Sequence, residues 1–172
     1  MRPLTAIGLL VAVLLLAGCQ HSPVTPAGAL RQLITEIAAG RVEADPAKVV
    51  SPGDPAQTEQ FLYIEAWLNV NAEALTHVVP APVSTEANFT FTRSADGRIT
   101  YLISDGWPGP QVRSKILRPA TGSRITMLGW PDALPWEQLG AWCVIENPRE
   151  MADEENHPCL QAFVFKIEAP AR

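Results

Sequence analysis

Between Ala87 and Glu168 the chain reads ANFTFTR (87–93), Asp96-Gly97, RITYLIS (98–104), Gly106-Trp107-Pro108-Gly109-Pro110, QVRSKIL (111–117), SRITMLG (123–129), AWCVIEN (141–147) and CLQAFVFKIE (159–168). Short apolar runs alternate with polar residues and are separated by Gly, Pro and Asp, which predicts about six or more strands with a period of two. Such a block specifies an antiparallel β-sandwich or open barrel, so the expected class is mainly β with one or two N-terminal helices on or beside the sheets. A fold of this kind does not by itself specify a function.

Outward from that block, bulk composition sets limits. The chain has 172 residues, a formal charge of −5, 47% hydrophobic residues and 16 prolines, which suits one turn-rich globular domain and no membrane-spanning bundle. With 13 Lys and Arg and no basic cluster, it lacks the cations that a nucleic-acid surface needs to neutralise phosphates.

Two helical patterns precede the sandwich. In the first, Thr25 caps, Pro26 occupies the first turn, Leu30, Leu33, Ile34 and Ile37 recur at helical spacing, and Gly40 stops the run. This amphipathic helix is expected either to pack on the sandwich or to act as a spacer. In the second, Asp54-Pro55-Ala56-Gln57 forms a capping box, and Phe61, Ile64, Leu68, Leu75 and Val78 line a stripe beside Trp67. Pro80 and Pro82 are expected to end this helix, assigned to 54–79, and to link it to the sandwich at 87–168.

The N-terminus carries Arg2, an apolar run from Leu9 to Ala17, and the tail Leu14-Leu15-Leu16-Ala17-Gly18-Cys19. The apolar stretch is shorter than the ~20 residues of a spanning helix. This segment resembles the lipobox of bacterial lipoproteins, which implies a signal peptide at 1–18, lipidation and cleavage at Cys19, and a lipid-tethered linker over 19–53. Gln20 rather than Asp follows the cysteine, which by the sorting rules of that family implies a bacterial envelope location at the outer membrane.

An envelope address permits Cys143 and Cys159 to pair, since they open what read as the last two strands. A loop of that size would add ~3 kcal/mol by the chain-entropy estimate. Two other readings stay open: a pair of buried free thiols, or a metal site with His157. Zinc needs three or four ligands, and the only histidines are at 21, 77 and 157, so no metal and no cofactor is expected.

The segment IEAWLNVNAEAL (64–75) looks like the last barrel helix of retaining α-L-fucosidases, matching its pattern at Glu65, Trp67, Leu68, Val70, Asn71, Glu73 and Ala74. The order of Phe89–Thr92, Asp96-Gly97, Tyr101, Gly106-Trp107-Pro108, Leu128-Gly129, Pro135-Trp136 and AFVFKIE is similar to the C-terminal β-sandwich of that family. Ala72, Thr76-His77, Trp130 and the two cysteines depart from the pattern. The resemblance implies an enzyme whose nucleophile and acid/base sit in a preceding barrel of ~250 residues. Few residues lie ahead of Gln60, so the expectation is a fucosidase-like tail to which no active-site residue of the family is carried over.

Any chemistry would therefore have to come from the chain's own acids. A retaining glycosidase needs two carboxyl groups ~5 Å apart, one with a raised pKa. The candidates are Asp132, Glu137, Glu146, Glu150, Asp153, Glu154 and Glu155; the last three form a cluster whose expected state is solvated. Neither a G-x-S-x-G nucleophile motif nor a phosphate-binding glycine loop occurs.

The tryptophans offer binding rather than chemistry. Trp107 and Trp130 each stand in a Gly-Trp-Pro loop, and Trp136 follows Pro135; rings on rigid loops can stack on sugar faces. Trp107, Trp136 and Trp142 also suit the sandwich core, which leaves Trp130 as the best single glycan contact. Three functions follow in order: a lipid-anchored accessory domain that binds a glycan or an envelope protein; a piece that docks its 54–79 helix on a separate fucosidase barrel; and a glycosidase in its own right.

Overall fold

The computed structural model describes residues 25–41 and 55–170; Cys19, its signal segment and the Asp54 cap lie outside them. The described elements are α1 (Pro26–Ala38), α2 (Pro55–Asn71), β1 (Val78–Glu86), β2 (Phe89–Ser94), β3 (Ile99–Ser104), β4 (Gln111–Ser114), β5 (Arg124–Met127), β6 (Trp136–Leu139), β7 (Trp142–Glu146) and β8 (Phe163–Glu168). All strand pairings are antiparallel, in a five-stranded sheet ordered β1-β2-β3-β8-β5 and a three-stranded sheet ordered β4-β7-β6. The mainly β class with two helices is what the sequence predicts.

The molecule is built as three layers around the larger sheet. Phe91, Leu102, Val112, Ile125, Met127, Ile145, Phe163 and Phe165 fill the space between the sheets. On the opposite face, Tyr101, Ile103 and Val164 meet Leu30, Leu33, Ile34 and Ile37 of α1 and Ile64 and Trp67 of α2. Strand residues point alternately to the two faces, so β3 and β8 need apolar residues at successive positions. Tyr101-Leu102-Ile103 and Phe163-Val164-Phe165 supply them, each at most 4% exposed.

The helix α1 forms as its sequence dictates. Thr25 Oγ1 accepts the Gly28 N–H at 3.1 Å, Pro26 needs no hydrogen-bond partner for its nitrogen, and Gly40 at φ +68° ends the turn. Its stripe packs on α2 and the sheet, so α1 is part of the fold rather than a spacer. The indole N–H of Trp67 in α2 donates to the Ala162 carbonyl at 2.9 Å, locking the helix to the segment entering β8.

Three expectations are corrected here. Helix α2 ends at Asn71 in a short 3-10 turn (Ala72–Ala74), and Pro80 and Pro82 lie inside strand β1 rather than in a linker. They are compatible with a strand there because β1 is an edge strand, and Pro82 falls where the register shifts between Pro80 and Thr85. The sandwich therefore starts at Val78, not Ala87. The second correction is strand β6, which the periodicity did not reveal because three of its four residues are exposed.

The third correction concerns the cysteines: Cys143 and Cys159 are free thiols, not a disulfide. The last two strands are not neighbours, since β7 is central in the small sheet and β8 lies between β3 and β5 in the large one. Cys143 Sγ is buried in the inter-sheet core, and the Cys159 thiol donates to the Gln161 carbonyl at 3.3 Å. Burial pushes both thiols up to about 11, which leaves them protonated and weakly nucleophilic at neutral pH.

Candidate functional site

A cleft of about 890 Å³ opens at one end of the sandwich, where the loop after β3 meets the loops before β6 and after β7. Trp107 and Trp130 both line it, with Asp132, Leu134, Glu146, Asn147, Arg149 and Glu150 among the other lining residues.

One wall is the segment after β5. Gly129 adopts φ +82°, and a Cβ there would lie 2.5 Å from Pro158 Cβ and 2.8 Å from Val70 Cγ1, so only glycine lets this turn close against the helix layer. The Trp130 N–H then donates to the Met127 carbonyl at 3.1 Å, and Leu134 N–H donates to the Ile125 carbonyl at 2.8 Å. Leu134 is buried, which pins Pro131 to Pro135 along β5 and leaves Trp130 half-buried against the inter-sheet core.

The opposite wall is held by Asn147. Its backbone N–H donates to the Pro110 carbonyl at 2.9 Å and its side-chain N–H donates to the Gly109 carbonyl at 2.6 Å, fastening the Gly-Trp-Pro loop to the exit of β7. Trp107 is braced from behind: its ring centroid lies 4.6 Å from His157 and 5.2 Å, edge-on, from Phe163. The floor joins both walls, since Glu146 N–H donates to the Pro135 carbonyl at 2.9 Å. Met151 is buried beneath the short 3-10 turn (Arg149–Ala152) that carries Arg149 and Glu150 to the rim.

The lining is mixed in a way that bears on chemistry. Asp132, Glu146 and Glu150 are exposed, and Glu146 accepts a hydrogen bond from Gln111 Nε2 at 2.7 Å. None of the three has the apolar surroundings in which a glycosidase keeps its general acid. Asn147 is 7% exposed and its Oδ1 is buried with no hydrogen-bond partner. A buried amide oxygen without a donor is costly, which sets Asn147 apart among the cleft's lining residues.

The structure thus brings together two of the three tryptophans expected to touch a glycan, Trp107 and Trp130, but not Trp136. That ring is half-buried on the inter-sheet core, and its indole N–H donates to the Ser123 carbonyl at 3.0 Å. Of the seven candidate carboxylates, Asp132, Glu146 and Glu150 reach the cleft. Asp153, Glu154 and Glu155 sit on an exposed 3-10 turn, where Asp153 Oδ1 accepts the Glu155 N–H. Asn147 and Arg149 carried no sequence signal, because only the tertiary path of the loops gives them a role.

Among the described residues, no group of three or more His, Cys, Asp or Glu is placed to hold a metal ion. The His157–Cys159 pair has other partners: His157 Nε2 lies 2.9 Å from the Met151 carbonyl and its ring stacks on Trp107. Among the same residues, no helix is long and apolar enough to cross a membrane.

No protein-family profile matches the chain, and no curated protein matches it in sequence. Solved structures do match in fold. The α-fucosidase of Thermotoga maritima is similar over 83% of this chain and 34% of its own, with a TM-score of 0.64 and 14% identity. An α-L-fucosidase isoenzyme of Paenibacillus thiaminolyticus is similar over 86% and 35%, with a TM-score of 0.59 and 12% identity. An α-L-fucosidase GH29 of Bacteroides thetaiotaomicron is similar over 69% and 26%, with a TM-score of 0.52 and 15% identity. The chain spans about a third of the length of the first of these enzymes, and its fold is that of a fucosidase C-terminal-like domain.

Proposed function

We propose that this chain is a non-catalytic, carbohydrate-binding accessory module, held at the bacterial outer membrane by a lipid on Cys19. The observation that carries the binding role is the convergence of Trp107 and Trp130, the two Gly-Trp-Pro rings, on one cleft. Braced aromatic faces with a few polar groups between them suit a sugar, whose C–H faces stack on the rings while its hydroxyls hydrogen-bond. The lipid anchor rests on the Cys19 motif alone.

Docking of α2 on a separate fucosidase barrel draws no support from the packing. That reading needs a free apolar face, and Ile64 and Trp67 are 0% and 3% exposed beneath the sheet and α1. Self-sufficient hydrolysis is disfavoured by the exposure of the three cleft carboxylates.

The test is a glycan-binding screen of the full chain, run beside an aryl α-L-fucoside hydrolysis assay. The expected result is saturable binding to at least one oligosaccharide, weakened about tenfold or more by Trp130→Ala, with no fucose release. Hydrolysis lost on changing Asp132, Glu146 or Glu150 to the amide would overturn the non-catalytic role. For the anchor, incorporation of labelled palmitate is expected in the native chain and not in Cys19→Ser.

A further inference from the structure

The cleft's charges narrow the ligand further, on the premise that the cleft binds carbohydrate at all. Its lining holds three carboxylates, Asp132, Glu146 and Glu150, against one guanidinium, Arg149. Asn147, whose Oδ1 is buried without a hydrogen-bond partner, stands among the same lining residues. The two indole faces of Trp107 and Trp130 add the negative potential of their ring quadrupoles. Acceptors and π-faces thus dominate the lining, with Arg149 as its single cationic side chain.

We infer that the cleft selects a saccharide bearing a free ammonium group, an amino sugar without its N-acetyl cap, over neutral and anionic glycans. An ammonium group supplies three donors and a positive charge that both the carboxylates and the tryptophan faces attract. Acetylation removes the charge and two donors, and a uronic acid brings a like charge toward three carboxylates. The exposure of these carboxylates makes the preference sensitive to salt.

The probes are a glucosamine oligomer, its fully N-acetylated counterpart of equal length, an oligogalacturonate and a lysine tetrapeptide. Binding to the full chain is measured at about pH 6, where amines are protonated. The expected order is glucosamine oligomer tightest by about tenfold, with the margin falling at high salt. The combined variant Asp132→Asn, Glu146→Gln, Glu150→Gln should bring the two oligomers to equal affinity, and Glu137→Gln, which lies outside the cleft on β6, should leave the margin as it is.

Equal or tighter binding of the acetylated oligomer, with Trp130→Ala still damaging, would overturn the ammonium preference and leave the carbohydrate reading standing. Binding of the lysine peptide as tight as that of the glucosamine oligomer would overturn the saccharide part of the inference. Binding of no saccharide would overturn both.

Discussion

The two sheets of this molecule have similar pairing and opposite surroundings. The five-stranded sheet is covered on both faces, by helices on one side and by the small sheet on the other; its inner strands β3 and β8 contain runs of consecutive buried residues. The three-stranded sheet buries one face, and its edge strand β6 has three exposed residues of four. The lesson is that the doubly covered sheet is the frame, while the loops that cross from one sheet to the other, pinned by backbone hydrogen bonds, display side chains for binding. Stability therefore sits in the strands of the large sheet, and recognition in the loops that cross between the two sheets.

This contrast can be broken by mutation. The largest loss is expected for Phe165→Ala, 0% exposed at the centre of β8, which should cost about 3–5 kcal/mol in denaturant unfolding. A loss below 1 kcal/mol would mean that the frame is not where stability lies. Next comes Gly129→Ala. Its left-handed backbone costs about 1–2 kcal/mol with a Cβ, and the contacts to Pro158 and Val70 add to that. Because the same turn aims Trp130, this variant should also weaken ligand binding.

Trp67→Phe sharpens the comparison from the helix side. It keeps most of the ring but leaves the Ala162 carbonyl without its donor, and should cost about 1–3 kcal/mol. The titrating groups report on burial. Burial raises Cys143 and Cys159 to about 11 and Tyr101 to about 12, above their unfolded values near 9 and 10. A raised folded pKa on an acid favours its neutral form, so this stability is full below about pH 9 and is lost as pH rises through the folded pKa. The melting temperature should therefore fall steadily above pH 9, less so in Cys143→Ala measured against its own neutral-pH value. The smallest effect belongs to Glu137→Ala on exposed β6, within about 0.5 kcal/mol of the native chain.

How much of this was legible in the sequence depends on which force wrote each element. Apolar periodicity marked both helix stripes and six strands, because burial must repeat with the backbone. It could not mark β1, whose prolines read as a linker and are permitted only by its edge position, nor β6, which has almost no buried face. The disulfide expectation fails for a topological reason: strands consecutive in sequence need not be neighbours in a sheet, and β7 and β8 belong to different sheets. In the cleft, the Gly-Trp-Pro loops were visible as motifs. Their convergence, and the parts played by Asn147 and Arg149, come from long-range hydrogen bonds such as Asn147 to Gly109, which leave no periodic trace.

The most direct test of the account compares three tryptophans in one binding assay. Trp107 and Trp130 line the cleft, whereas Trp142 is 40% exposed on the small sheet with Lys115 Nζ 4.6 Å from its ring centroid. With an oligosaccharide identified by the screen, Trp107→Ala and Trp130→Ala should each weaken binding about tenfold or more, and Trp142→Ala should match the native chain. Loss of binding in Trp142→Ala, with the other two unchanged, would place recognition on the small sheet and contradict the division of labour described above.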